Sequence, residues 1–389
     1  MAVLAPNSAS AWHKRTPAVL QITPQNAGTI ANPRWAGYRY VFFDSDGDIL
    51  GNGSQGRQAF YFDLQERDRT GDLAVHQVTS GAGDYQHASS GIRGKVIAYD
   101  GTIGGTGPRQ VFITDRVLGQ PHALTRGTAD SLNANMDDGG RVVVFESSAD
   151  LLGKGIAGTQ IYRADLTLAD TTCPYPCPEH DNIGLTQLTN KAGTSRNAST
   201  SKTGKVIVFE SDADLVNGGE TETQIYKVAF PSLVTTALSH GPGAGHNPTL
   251  SRTGGDIAFE SSADLTGRAT GGTQIYLFRQ SVGVAQQVTN APGGHSVRPS
   301  LEVNGRALIF ISSDDLLGNG SGGPEVFDYD LTRGTLSQIT NVPGFTSNPA
   351  YSAGVFTTFL TDGDLAGNGN TGIGLYLVNL FALGDNVLP

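Results

Sequence analysis

The apolar positions of this chain come in short runs bounded by Gly, Asn, Asp and Ser, with Val, Ile, Thr, Tyr and Phe prominent in the runs. That pattern predicts β-strands, not helices. It also repeats. Residues 190–239 and 240–289 carry the unit most plainly, one copy reading NASTSKTGKVIVFESDADLVNGGETETQIYKV and the next NPTLSRTGGDIAFESSADLTGRATGGTQIYLF. The anchor aromatic of each copy falls at Phe43, Tyr99, Phe145, Phe209, Phe259, Phe310 and Phe359, which makes seven units of about 50 residues. An insertion at about residues 167–184 stretches the Phe145 to Phe209 spacing to 64.

Each unit predicts four strands. The innermost follows an Asn-Pro-like start, as at Asn32-Pro33, Asn247-Pro248 and Asn348-Pro349. A glycine turn leads to a continuous apolar second strand such as Val206-Ile207-Val208-Phe209. A Ser-x-Ala-Asp-Leu segment and a glycine-rich loop precede the third strand, Gln224-Ile225-Tyr226, and the unit ends on a Gln-Leu-Thr-like strand such as Gln187-Leu188-Thr189. Such a sheet has two apolar faces and cannot bury both alone. Radial stacking buries them and hides the edges. The fold predicted is therefore all-β, a seven-bladed β-propeller with four-stranded blades. The last unit lacks a Gln-Ile-Thr segment after Gly374-Leu375-Tyr376-Leu377, whereas Val19-Leu20-Gln21-Ile22-Thr23 precedes the first. That N-terminal strand is expected to pair beside residues 374–379 and close the ring; use of Phe381 to Leu388 instead is the alternative. Residues 1–17 then form an extension and 18–389 one domain. Its blades span approximately 24–79, 80–125, 126–189, 190–239, 240–289, 290–340, and 341–389 with 18–23.

The repeat resembles the TolB-like propeller repeat, a cousin of the WD-repeat reading roughly Pro-x-x-Ser-x-Asp-Gly and then an apolar strand ending in Phe-x-Ser. Pro248-Thr-Leu-Ser251-Arg-Thr-Gly254 and Phe259-Glu-Ser261 carry the likeness. The resemblance implies a propeller over nearly the whole chain. It leaves activity open, because the family spans binding scaffolds, a periplasmic subunit of an envelope complex and accessory domains of peptidases.

Composition narrows the choices. Lys and Arg number 26 against 36 Asp and Glu, a net charge of −10, which disfavours a nucleic-acid partner. Glycine, 52 of 389 residues, is about twice as frequent as usual and fits many turns. No apolar run approaches the ~18–20 residues that span a bilayer.

Recurring residues are expected to build the units. Asp48, Asp150, Asp214, Asp264, Asp315 and Asp364 begin glycine-rich connections and suit acceptance of backbone N–H groups. Asp44-Ser45-Asp46-Gly47-Asp48 also looks like a calcium loop, but Ile49 stands where an EF-hand needs glycine and Gln55 where it needs glutamate. No cofactor is expected, with a calcium site of another kind as the alternative. The strings Gly51 to Gly56, Gly318 to Gly323 and Gly367 to Gly372 match a dinucleotide fingerprint only as text, since none opens a helix.

Cys173 and Cys177 are the only cysteines and sit in the insertion. A disulfide pinching that loop is the favoured reading, with a metal site using Glu179, His180 and Asp181 as the competitor. A structural disulfide implies a periplasmic or secreted protein, and Ala9-Ser10-Ala11 resembles the end of a secretory signal.

Inter-blade loops open on one propeller face. The side chains expected to ring the channel mouth there are Tyr85, His87, Arg196, His246, His295, Arg298 and Phe345. Such a mixed ring suits a polar ligand or peptide. His246 and His295, placed one blade apart at equivalent positions, are the pair suited to titrate together or hold a metal. Hydrolase and phosphate-loop motifs are absent from the sequence. The reading is a monomeric binding or scaffold module for a protein or glycan. The alternative is a lyase or hydrolase at the channel mouth, using His246 with His295 or Glu302.

Overall fold

The computed structural model describes residues 17–388 apart from 26, 73, 117–120, 167–183, 269–270, 321–322, 343, 353 and 385. Cys173, Cys177 and Ala9-Ser10-Ala11 lie outside the described residues, and with them the disulfide and signal readings.

The described chain is nearly all β, with 28 strands. After β1 (Val19–Gln21) come β2 (Ile30–Ala36), β3 (Tyr40–Ser45), β4 (Gln58–Asp63) and β5 (Val75–Gln77), a four-stranded antiparallel sheet in chain order. A second sheet holds β6 (Tyr85–Ser90), β7 (Val96–Gly101), β8 (Gln110–Asp115) and β9 (Pro121–Ala123). Then follow β10 (Ser131–Met136), β11 (Val142–Ser147), β12 (Gly158–Asp165) and β13 (Gly184–Gln187), and β14 (Gly193–Thr200), β15 (Val206–Ser211), β16 (Gln224–Ala229) and β17 (Val234–Ala237). A short parallel contact between β12 and β14 joins these two sets. The fifth set is β18 (Gly245–Leu250), β19 (Asp256–Ser261), β20 (Gln274–Arg279) and β21 (Ala285–Gln287); the sixth is β22 (Ser296–Leu301), β23 (Ala307–Ser312), β24 (Glu325–Asp330) and β25 (Thr335–Gln338). The last contains β26 (Thr346–Tyr351), β27 (Phe356–Thr361) and β28 (Gly374–Asn379), with β1 alongside β28.

The apolar runs explain the core. Phe209 and Tyr226 face each other across β15 and β16, stacked at 6.1 Å. Phe145 with Tyr162 and Phe259 with Tyr276 repeat the pair at 5.7 and 5.9 Å. These rings are buried between neighbouring sheets, each sheet covering the next. First strands touch in succession, β2 against β6 and onward to β26, and β26 touches β2.

A Gln–Thr clamp fastens the outer strands. Ser239 Oγ donates to Gln224 Oε1 at 2.6 Å and accepts from Ile225 N at 2.8 Å. Gln58 with Thr79, Gln110 with Thr125, Gln160 with Thr189 and Gln274 with Thr289 repeat it. In β28 the glutamine is replaced by Gly374, and the hydroxyl comes from the other end of the chain: Leu375 N donates to Thr23 Oγ1 at 3.0 Å. Val19 lies opposite Val378, and Gln21 opposite Tyr376. The C-terminal stretch does otherwise. After α2 (Leu380–Leu383), which follows α1 (Leu64–Thr70), Leu388 exchanges backbone bonds with Ile339 and Asn341 on the sixth sheet. Phe381 to Leu388 therefore does not supply the missing strand.

Ile22 is fully buried and Leu20 packs against the same core. Removing residues 1–23 is expected to lower stability by about 3–6 kcal/mol, the loss of two apolar side chains and a strand edge. Urea unfolding of the truncated chain measures it, and an unchanged midpoint counts against this role for β1.

Candidate functional site

Every first strand slips its register at one residue, and that residue is left-handed: Asn32, His87, Asn133, Asn197, Asn247, Arg298 and Asn348 have φ between 49° and 59°. Asparagine tolerates this conformation better than most side chains, which accounts for five of the seven. The seven positions surround a cavity of about 400 Å³ running between the first strands.

The slip frees a backbone N–H, and the preceding sheet receives it. Near the end of each second strand stands Asp44, Asp100, Glu146, Glu210 or Glu260 in sheets one to five. Asp100 accepts Asn133 N at 2.9 Å, Glu146 accepts Asn197 N at 2.8 Å, and Glu210 accepts Asn247 N at 2.9 Å. Asp44 and Glu260 serve His87 and Arg298 at 3.4 and 2.5 Å. All five carboxylates are buried or nearly so.

Their charge states differ with their partners. Burial pushes the Asp100 carboxyl up, but His87 at 2.7 Å and Arg109 at 2.5 Å outweigh it and hold the group below the usual range. Glu146 has no such cation bonded to it, and burial pushes it up to about 7. Burial likewise raises Glu260 and Asp44. Arg34 reaches across the cavity from the first sheet, donating to Ala134 O at 2.7 Å and Asn133 Oδ1 at 2.5 Å.

The expected ring assembles only in part. His87 and Arg298 line the cavity. Arg196 and His246 share one partner, with Arg196 Nε 3.4 Å and His246 Nδ1 3.5 Å from Glu210. Hydrogen bonding to Glu210 raises the His246 imidazole above its ordinary value. Phe345 is exposed in the loop before β26. Tyr85 is not at the mouth. Its ring turns between sheets, edge-on to Tyr99 at 5.9 Å, and walls a separate cavity of about 610 Å³.

His246 and His295 are not equivalent either. His246 pairs with Glu260 across β18 and β19, and the residue in that register one sheet on is Val297, opposite Ile311. His295 sits two residues earlier, with Nδ1 3.1 Å from Thr273 Oγ1. One shift of alignment separates them. Glu302 lies beyond the far end of β22 and accepts Asn304 N at 2.8 Å, so it holds a turn away from both histidines.

The Asp44–Asp48 carboxylates are each engaged within the protein, with Arg57 3.7 Å from Asp46 as well as beside Asp44. Asp44 pairs with Arg57 at 2.9 Å, Asp46 accepts Thr29 N at 2.6 Å, and Asp48 accepts Asn52 N and Gly53 N at 2.9 and 2.8 Å. The last arrangement recurs at Asp150, Asp214, Asp315 and Asp364. Backbone N–H groups hold Asp150, Asp214 and Asp315 below the ordinary range. Among the described residues no three His, Cys, Asp or Glu side chains converge as a metal-binding group.

Sequence reasoning missed the asparagines and the carboxylate latches. The Asn-Pro starts and the Phe-Glu-Ser strands were both visible, but as separate repeats; the bond joins different units.

The fold places the chain among β-propellers. Oligogalacturonate lyase, solved in complex with manganese, superposes with a TM-score of 0.60 at 12% identity over 95% of this chain and 93% of that one. The β-propeller domain of the Trilobed protease from Pyrococcus furiosus gives 0.60 at 10% identity, over 92% and 95%. TolB from Acinetobacter baumannii is also similar, at 17% identity and a TM-score of 0.46 over 80% of this chain; the chain spans 63% of that TolB chain. No family model and no curated protein matches the sequence. No helix among the described residues is long and apolar enough to cross a membrane.

Glu146 yields a pH test. The folded state binds its extra proton between the ordinary value, 4.5, and about 7, so the stability it contributes is complete below 4.5 and is lost as pH rises to about 7. Glu146→Gln keeps an acceptor for Asn197 N. It is expected to change little at pH 5 and to stabilise by about 1–3 kcal/mol at pH 8, measured by urea unfolding at both values.

Proposed function

We propose that the chain is a seven-bladed propeller closed by β1 and serves outside the cytoplasm as a binding or scaffold module, recognising a protein or glycan at the channel mouth. The β1–β28 pairing, the Thr23 clamp and the contact of β26 with β2 support the closed ring. The observation that carries the binding role is the arc of Arg196, His246 and Arg298 on three successive sheets, two guanidinium groups and an imidazole, the first two paired with Glu210. Arg196 and His246 stand about half exposed, and Arg298 is exposed. Beneath them, the carboxylates of Glu210 and Glu260 face backbone N–H groups. An acidic group on a ligand therefore meets exposed positive charge at the rim of a preformed cavity.

A lyase or hydrolase at the mouth is the competing reading. The three histidines are held apart, His87 on Asp100, His246 on Glu210 and His295 on Thr273. No two of them share a bonded partner.

Replacing Arg196 and His246 together by Gln is expected to weaken capture of ligands from a glycan array or an envelope extract about tenfold, a change of about 1.4 kcal/mol. Some loss of melting temperature is expected too, because Glu210, 4% exposed, loses both groups it pairs with; the variant should still be folded at the assay temperature, since Glu210 keeps its bond from Asn247 N. Capture by the native protein is also expected to fall as pH rises through the elevated His246 value, since the cationic imidazole exists only below it. Capture indifferent to both changes would refute the arc as the binding surface.

A further inference from the structure

Sheets six and seven break the latch. At the register where sheets one to five carry a carboxylate, β23 has Ile311, opposite Val297, and β27 has Leu360, opposite Ser347. Neither side chain has an acceptor. The residues they would serve, Asn348 and Asn32, keep the left-handed conformation at φ 51° and 52°. Both border the central cavity.

Ile311 and Leu360 fill the two latch positions, 4% and 2% exposed, and the surroundings of the two differ in charge. Asn32 Nδ2 donates to Asp44 at 2.9 Å, so an anion there faces an existing carboxylate. At Asn348 the neighbour is a cation: Arg298 Nη1 donates to Asn348 Oδ1 at 2.6 Å. A guanidinium has five N–H groups, and this bond uses one. Val297, half-buried, packs against the core that holds Ile311, and Phe345, three residues before Asn348, is 45% exposed.

Resting on the binding role proposed above, we infer that the edge of the cavity at Asn348 and Arg298 takes the C-terminal carboxylate of a peptide. The carboxylate accepts the Asn348 N–H and a free Arg298 N–H, replacing the internal Asp or Glu of the other sheets. The five internal latches show that this backbone geometry receives a carboxylate oxygen at 2.5–3.4 Å. Paired backbone and guanidinium donors give charge-assisted bonds, and capture of a chain terminus by backbone N–H groups is a known recognition mode. The exposed Phe345 suits an apolar last side chain, a feature that a uronic-acid oligomer lacks.

The test uses the full chain and an array of pentapeptides with free C-termini beside the same array amidated. Free acids ending in an apolar residue should be retained, and amidation should weaken them about tenfold or more. Ile311→Glu supplies the missing latch and should produce the same loss with free acids. Arg298→Asn introduces the residue found at five of the seven positions, and should also weaken free acids while leaving the melting temperature within a few degrees; it keeps the test decisive if Ile311→Glu does not fold. Equal binding of acids and amides, or unchanged affinity in Arg298→Asn, would overturn the inference. Displacement of the peptides by oligogalacturonate would overturn it in favour of a uronate ligand. Glycan or amide capture that depends on Arg196 and His246 would overturn this carboxylate site yet leave the binding role standing; retention of no glycan or peptide would remove both.

Discussion

The bond on which the interior depends is the one between a buried carboxylate and a backbone N–H on the following sheet. The first strand slips its register, a residue turns left-handed, and an amide hydrogen loses its place in the ladder. A buried amide without an acceptor costs about 1–3 kcal/mol. Five sheets answer that cost with Asp or Glu. Sheet-to-sheet spacing near the axis is thus set by a polar contact as well as by the aromatic stacks farther out.

Placing five buried carboxylates behind the residues that line one small cavity creates the next constraint. Each must be neutralised or protonated. The molecule does both, in neighbouring sheets: Asp100 is flanked by His87 and Arg109 and stays ionised, whereas Glu146 relies on a single backbone donor and titrates near neutrality. Farther up, Glu210 collects Arg196 and His246. The exposed Arg196 and His246 thereby answer a buried anion, and on the proposed binding role a ligand would meet that compensating charge first.

The architecture was legible because it is repetitive. Phe209 and Tyr226, Gln224 and the Ser/Thr of its clamp recur at fixed offsets, and the unit short of a fourth strand matched Val19 to Thr23 in wording. The site was less legible because its bonds cross between repeats. Asn197 looks like a strand-start marker until Glu146, 51 residues earlier, is seen to hold its N–H. A misalignment of two residues was enough to pair His246 with His295, and side-chain alternation sends Tyr85 between sheets though its neighbours in sequence face the mouth. Departures such as Ile311 and Leu360 acquire meaning only after the shared device is known.

The latches also have a polarity. Each acceptor belongs to one sheet and its donor to the next, so the series runs from the first sheet to the sixth and stops. The seventh sheet, which contains β1 as well as β26 to β28, sits between two seams that lack the carboxylate latch, one of them crossed instead by the Arg298–Asn348 and Ser300–Tyr351 bonds. Spontaneous breathing would concentrate at those seams, with amide protons of β26 exchanging before those of β14 or β18. In mechanical terms, a ring closed as proposed would have its hinge where its two ends are joined.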